Sequence, residues 1–306
     1  MLAVLIDRIL DPPMTINIPR LRFALLTLLL CLASQGLLGA EPNPLGTFSF
    51  DIERLGETPE QRVNALAEMG YTGLALSFQG AQKKPERDFI AYYEAARSKG
   101  LQIYTAYLPL KLDGSSPLGP EFQKQLRLLK KIGADPWISF REIKGQSLSR
   151  EQLLRTVNEV ADACARAGVR CVIYPHYSFI IETVEDAVSV VEALDRKDIY
   201  ISFHLCHEIR AGNGGKLKEV AKKVEPYLYL TTISGADVDY ESDKNWMRTI
   251  RPLDSGDYDV SQFIEAIQSI DYTGPIILHT WGLQRAKEAN ANHHSRSIEF
   301  YKGLFR

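Results

Sequence analysis

The stretch SREQLLRTVNEVADACARAGVRCVIYPH, Ser149–His176, holds one complete helix-to-strand unit. Ser149 and Gln152 have the spacing of a capping box, in which each side chain satisfies the other residue's backbone N–H. An amphipathic segment follows, Gly168 stops it, and the β-branched run RCVIYPH resumes as a strand. A single unit of this kind fits many folds, so the decision rests on whether it repeats.

It repeats along the chain in both directions. Toward the N-terminus, TFSFDI precedes a helix opened by Thr58, Pro59 and Gln61 and closed before Gly70. Then come GLALSF, a helix over 85–99, LQIYTAYL, a helix stopped before Gly133, and PWISF. Toward the C-terminus the order is a helix over 183–194, IYISFHL, a helix over 217–224, LYLTTI, a helix over 260–270, PIILH and a last helix. Eight strands alternate with eight helices, and no Pro-, Gly- or Ser-rich linker divides them. The expectation is a single (β/α)8 TIM barrel, whose usual size of about 250 residues fits residues 41–306. The competing fold is a doubly wound open sheet. It lacks support because no Gly-rich dinucleotide fingerprint follows the first strand, and for the same reason no nucleotide cofactor is expected.

Composition narrows the partners. The chain has 306 residues, 45% hydrophobic and 24% charged, with 36 basic residues against 38 acidic ones and a net charge of −2. That is ordinary for a globular protein, and it supplies no field for holding a polyanion, so nucleic acid is not an expected partner. Arg20 and Arg22 precede the apolar run FALLTLLLCLA, Phe23–Ala33, and the small residues Gly39 and Ala40 suit a cleavage site. Residues 1–40 are therefore expected to be a signal peptide. Residues 1–13 are either an extended n-region or precede the true start at Met14. The mature domain is expected in the periplasm or outside the cell, with no stable membrane span after cleavage. The alternative is an uncleaved anchor, for which the run is short. Cys31 leaves with the peptide, and Cys164, Cys171 and Cys206 read as small buried hydrophobes rather than a disulfide framework.

Barrel enzymes place their chemistry at the C-terminal ends of strands and in the loops beyond. Those positions carry Asp51 and Glu53, Arg141 and Glu142, Tyr174 and His176, His204 and His207, and His279. Four of the chain's six histidines are on this rim, while His293 and His294 lie on the last helix and are expected in solvent. Strand alternation turns Ile199, Ile201 and Phe203 outward onto the helices and His204 inward. His279 turns inward by the same parity, and Cys206–His207 are expected to begin a loop. Converging imidazoles bind a divalent transition metal or move protons near neutral pH. A metal site of His204, His176 and His279 for Zn, Mn or Co is one expectation, with Glu142, Glu53 or Asp51 as an oxygen ligand or base. Trp246 and Trp281, together with Tyr104, Tyr107 and Tyr177, are placed near the mouth, where their faces can stack on a ligand, and DVDYESDKNWMRTIR is long enough to act as a lid.

GVRCVIYPHYSF, ISFHLCHEI, ISGAD and the closing RPLDSGDYDVSQFIEAIQSIDYTGPIIL carry a resemblance. Together they resemble the xylose-isomerase-like TIM barrels, the superfamily of sugar isomerases and epimerases that also contains endonuclease IV, and in particular an exported subgroup of it. The resemblance implies one divalent metal held by Glu, Asp, His and Glu on strands 5 to 8. The matching positions here are Tyr174, His204, Ser234 and His279. None is a carboxylate, so the metal site is either rebuilt with imidazoles or lost. His207 matches a histidine that contacts or supports substrate in the family.

The functional expectation is an exported enzyme that abstracts a proton α to a carbonyl of an unphosphorylated sugar or keto-sugar, with or without metal assistance. His279, His176 and Glu142 are the candidate catalytic groups, and His207, Arg141, Tyr174, Trp281 and Trp246 the candidate substrate contacts. The alternatives are a lyase opening 3-keto-glycosides by β-elimination and a sugar-binding barrel without catalysis. DNA repair is disfavoured by the export signal, the charge balance and the shortage of carboxylate ligands. The oligomeric state is not legible in the sequence.

Overall fold

Side-chain alternation along eight short strands determines which residues fill the barrel and which meet the helices. The computed structural model describes residues 42–79, 86–112, 117–143, 148–239, 246–285 and 292–305, so the expected signal peptide and part of the expected lid, residues 240–245, lie outside the described residues.

The strands are β1 Leu45–Phe48, β2 Gly73–Ser77, β3 Gln102–Leu112, β4 Asp135–Glu142, β5 Cys171–Ile173, β6 Ile199–His204, β7 Leu228–Ile233 and β8 Ile276–Leu278. They form one closed barrel in chain order, every neighbouring pair parallel, and β8 returns to β1 with Leu45 opposite Ile276 and Thr47 opposite Leu278. The sheet is the (β/α)8 TIM barrel that the alternation predicts. Between and around the strands lie α1 Pro59–Met69, α2 Glu86–Ser98, α3 Pro120–Ile132, α4 Arg150–Ala167, α5 Val184–Leu194, α6 Leu205–Arg210, α7 Leu217–Val224, α8 Ser261–Gln268 and α9 His293–Gly303.

The helix ends follow from local chemistry. Thr58 with Gln61, Ser149 with Gln152 and Thr183 with Asp186 form complete capping boxes at the starts of α1, α4 and α5. Each box contributes about 1 kcal/mol by satisfying backbone donors that the helix cannot. Gly168 closes α4 in the left-handed region at φ 71°, a conformation that costs glycine nothing.

The strand ends depart from the sequence expectation in ways that matter for the site. β1 begins two residues earlier than TFSFDI suggests and ends at Phe48, with the chain turning through Ser49 and Phe50. β5 stops at Ile173 instead of His176, because its pairing with β4 and β6 covers only Cys171 to Ile173. β3 and β4 run on together as far as the pairing of Leu112 with Glu142, which carries Arg141 above the rim. Beyond β6 the chain enters the short helix α6 where a loop was expected, because the ladder ends at His204 and the next backbone groups pair among themselves.

Phe48, Ala75, Tyr107, Trp137, Tyr174 and Leu230 belong to the cluster that fills the barrel. Each fully buried large apolar side chain contributes roughly 1.5–3 kcal/mol relative to exposure. Trp137 also satisfies its indole N–H, donating to Ser202 Oγ at 2.5 Å. Phe203 faces the other way and meets Phe263 of α8 at 4.8 Å between centroids, as the parity of β6 requires.

Candidate functional site

The strand ends surround a cavity of about 250 Å³ at the C-terminal mouth. This is just below the roughly 300–1,000 Å³ typical of drug-sized ligand sites, so it suits a small ligand. Its wall is aromatic and basic: Tyr174 and His176 enter after β5, His207 from α6, His279 after β8, and Arg141 from β4, with Trp246 and Trp281 at the edge.

Tyr174 is the centre of the polar network. Its hydroxyl lies 3.0 Å from His207 Nε2 and 3.2 Å from His279 Nε2. Backbone N–H groups determine the tautomers: Tyr177 donates to His207 Nδ1 at 3.3 Å, and Trp281 to His279 Nδ1 at 3.4 Å. Each ring therefore carries its proton on Nε2 and donates it to the Tyr174 oxygen. The phenolic proton is left for a third acceptor, and the cavity is where one can bind. Burial holds the Tyr174 hydroxyl well above the usual range, so it stays protonated at neutral pH.

His176 presents the opposite group. Its Nδ1–H donates to the backbone carbonyl of Tyr177 at 2.8 Å, which leaves the lone pair on Nε2. The ring stacks on Phe179, centroids 3.9 Å apart, and Phe179 carries the Arg141 guanidinium 5.5 Å from its own centroid. Burial is the first cause that lowers the histidine pKa values, to about 4 for His176 and about 3 for His279. His204 and His207 are likewise held well below the usual value. At neutral pH all four rings are uncharged, and the cavity wall thus carries an unused phenolic proton, an unused imidazole lone pair and the Arg141 cation.

Eight of the residues singled out from the sequence come together here: Tyr107, Tyr174, His176, His207, His279, Arg141, Trp246 and Trp281 all line the cavity. His204 does not line it. It lies beneath the Tyr174 ring, 1% exposed, with Nε2 2.6 Å from Ser202 Oγ and Nδ1 3.0 Å from Thr232 Oγ1, so both nitrogens are occupied within the protein. Glu142 also stays out of the cavity, because its Oε1 accepts from the Leu148 N–H at 2.9 Å. Glu53 is exposed in a short 3-10 turn. Tyr107 reaches the cavity, whereas Tyr104 bonds Thr72 near the start of β2. Phe50, Gln79 and Phe179 also line the cavity, and nothing in their local sequence marks them.

His293 and His294 correct the sequence reading. They are 0% exposed, not in solvent, because the start of α9 packs over Asp51, whose Oδ2 lies 2.5 Å from His293 Nε2. Asp51 is thereby drawn away from the mouth.

The four-ligand metal arrangement implied by the resemblance is not reproduced. Ser234 donates its hydroxyl proton to the Thr249 carbonyl, His204 is enclosed, and among the described residues no carboxylate lines the cavity. Two groups of side chains do have donor atoms within 4.8 Å of one another: Cys206, His207 and His279 at the mouth, and Asp51, His293 and His294 apart from it. In the first group the His207 and His279 nitrogens already have hydrogen-bond partners. The Cys206 thiol is pushed up to about 12 by burial and packs on Ile250 and Leu283. A protonated thiol and two partnered imidazoles do not fit the oxygen-rich divalent site of the family.

The family described as xylose isomerase-like TIM barrel matches residues 63–303. No curated protein sequence matches the chain. Among solved structures, a xylose isomerase-like TIM barrel/4-hydroxyphenylpyruvate dioxygenase fusion protein superposes with a TM-score of 0.66 at 14% identity, over 87% of this chain and 44% of its own. This chain therefore spans less than half of that protein. The 3-keto-D-glucoside 4-epimerase of E. coli, in its apo form, gives 0.63 at 15% identity over 85% of this chain and 99% of its own. IolI protein, solved with a zinc atom bound, gives 0.65 at 12% identity over 86% and 98%. At such identities the likeness shows the fold alone.

Proposed function

We propose, from the premise that the chain belongs to the xylose isomerase-like TIM barrel family, that it is an enzyme of the sugar isomerase and epimerase class acting beside a carbonyl of a small, unphosphorylated sugar or keto-sugar. The observation that carries this reading is the presence of an unused lone pair, on His176 Nε2, and an unused hydroxyl proton, on Tyr174, in the wall of one cavity edged by tryptophans.

The chemistry follows from those two groups. A neutral imidazole whose Nδ1–H is held by a carbonyl accepts a proton at Nε2. With a substrate C–H placed against it, the bonding pair moves toward the adjacent carbonyl and its oxygen becomes an enolate. Tyr174 donates a hydrogen bond to that oxygen, backed by the N–H groups of His207 and His279 at its own oxygen, and Arg141 offsets the developing charge. Return of the proton to the neighbouring carbon, with the hydroxyl proton there passing to the former carbonyl oxygen, isomerises the sugar, and delivery of a proton to the opposite face of the same carbon, from a second donor, epimerises it. Loss of a β-leaving group instead gives the lyase reaction. The E. coli relative that is a 3-keto-D-glucoside 4-epimerase acts on a substrate of this kind, which supports the choice.

Residues 1–40 support placing the protein outside the cytoplasm, on the strength of the apolar run Phe23–Ala33.

The test is solvent exchange: the purified protein in D2O with a panel of ketoses, aldoses and 3-keto-glycosides. Deuterium entering carbon beside the carbonyl is expected, and its absence throughout the panel refutes the reading. A second reading, a sugar-binding barrel without turnover, is favoured by the lack of any carboxylate among the described cavity-lining residues. Its signature is sugar affinity with no exchange.

A further inference from the structure

Apart from the mouth, Asp51 meets the first two residues of α9, His293 and His294. All three are enclosed, Asp51 at 2% exposure and both histidines at 0%. Asp51 Oδ2 lies 2.5 Å from His293 Nε2, the Asp51 carbonyl oxygen 3.4 Å from His294 Nε2, and the two rings pack 4.1 Å apart. Arg54 holds the other carboxylate oxygen, Oδ1, at 2.9 Å.

The proton count leaves two donors unused. Both Nε2 atoms face oxygens, so both carry protons, and each Nδ1 is left with a bare lone pair. Both Nδ1 atoms are buried without a partner, and so is Ser49 Oγ two residues before Asp51. Buried polar atoms are almost always paired, so two bare nitrogens on the adjoining rings that pack against Asp51 call for a ligand. Two imidazole nitrogens with a carboxylate oxygen are a zinc-type donor set.

We propose that Asp51, His293 and His294 form a structural divalent-metal site of the zinc type, which pins the chain after β1 to the start of α9. One donor atom from each lies within 4.8 Å of the others. Ligands around a tetrahedral zinc with bonds of about 2.0 Å sit roughly 3.3 Å apart, so the ion enters when the imidazoles turn over about the Cβ–Cγ bond, giving up their Nε2–H bonds to Asp51 and presenting the bare Nδ1 atoms beside its carboxylate. Arg54 serves as the outer partner that orients the ligating carboxylate. Neither Asp51 nor the two histidines line the mouth cavity, but Phe50, bonded to Asp51 in the chain, does. The site therefore steadies one wall of the cavity without touching what binds there, and it stands or falls independently of the catalytic reading.

The experiment uses the full chain stripped with a chelator and titrated with Zn2+ and with Co2+. Three proteins are compared: the parent, a His293→Gln/His294→Gln variant and a His207→Ala/His279→Ala variant. One equivalent bound by the parent and the mouth variant, with a rise in melting temperature, is expected. The α9 variant is expected to lose affinity on the order of 100-fold or more. No metal-dependent shift in the parent, or binding that survives at α9 and disappears with the mouth residues, overturns the site. X-ray absorption on the zinc-loaded parent decides even if the α9 variant fails to fold. Nitrogen and oxygen ligands alone support the assignment, and a sulfur ligand, pointing to Cys206, overturns it.

Discussion

The ring of Tyr174 lies over that of His204, centroids 3.8 Å apart and planes 27° apart, so one inward-facing histidine is the floor on which the cavity's central tyrosine rests. The relationship separates support from chemistry. His204 uses both nitrogens on Ser202 and Thr232, while Tyr174 above it keeps a proton for a ligand.

Replacing the floor is expected to cost stability first. His204→Ala leaves a void under Tyr174 and strips the Ser202 and Thr232 hydroxyls of a partner, a combined loss of about 2–4 kcal/mol. Urea unfolding measures it, and a change within about 0.5 kcal/mol, the usual range for a surface site, contradicts the enclosed, fully bonded role.

Removing the lone pair is expected to act on rate. His176 is half-buried and stacks on Phe179, so His176→Gln keeps much of the packing and removes the base. Exchange of the substrate's α-hydrogen should fall by roughly 100- to 10,000-fold with the melting temperature little changed. Unaltered exchange would assign the proton transfer elsewhere.

Acid is expected to destabilise the protein in a defined window. His279 is 4% exposed and its pKa falls from 6.5 to about 3 through burial, so the unfolded chain binds the extra proton and the folded one does not. Its contribution is intact above pH 6.5, declines by roughly 1.4 kcal/mol per pH unit below it, and levels off near pH 3. Unfolding free energies measured between pH 7 and pH 4 should show this decline, steepened by His204 and His207, whose shifts have the same sign. In the same series kcat/KM should hold until the pH approaches 4, where His176 gains its proton.

Trp281 is 36% exposed at the edge of the cavity, near Trp246 at 6.4 Å between centroids, so its replacement should spare the fold. Trp281→Ala is expected to weaken sugar binding by about 1 kcal/mol, roughly fivefold in KM, with kcat nearly constant. Equal losses in kcat would show instead that the indole acts in the transition state.

The barrel was legible because its signals are local. Thr58 with Gln61 and Ser149 with Gln152 close their caps over three residues, Gly168 needs only its own φ, and the outward face of Phe203 follows from counting along one strand. The same counting turned His204 inward correctly, yet could not give its depth. Depth along the barrel axis depends on the stagger between neighbouring strands, which a chain cannot express one strand at a time. That stagger put His204 under Tyr174 and ended β5 at Ile173.

The alternation of periods, the caps and the small set of inward histidines were thus properties of the sequence alone: each depends on spacing over a few residues. Which imidazoles reach the mouth, which one is enclosed, and why His293 and His294 sit against Asp51 were decided only on folding. Those contacts join residues as many as 243 positions apart, and no local preference specifies them. They exist because closing the sheet leaves one place for each side chain.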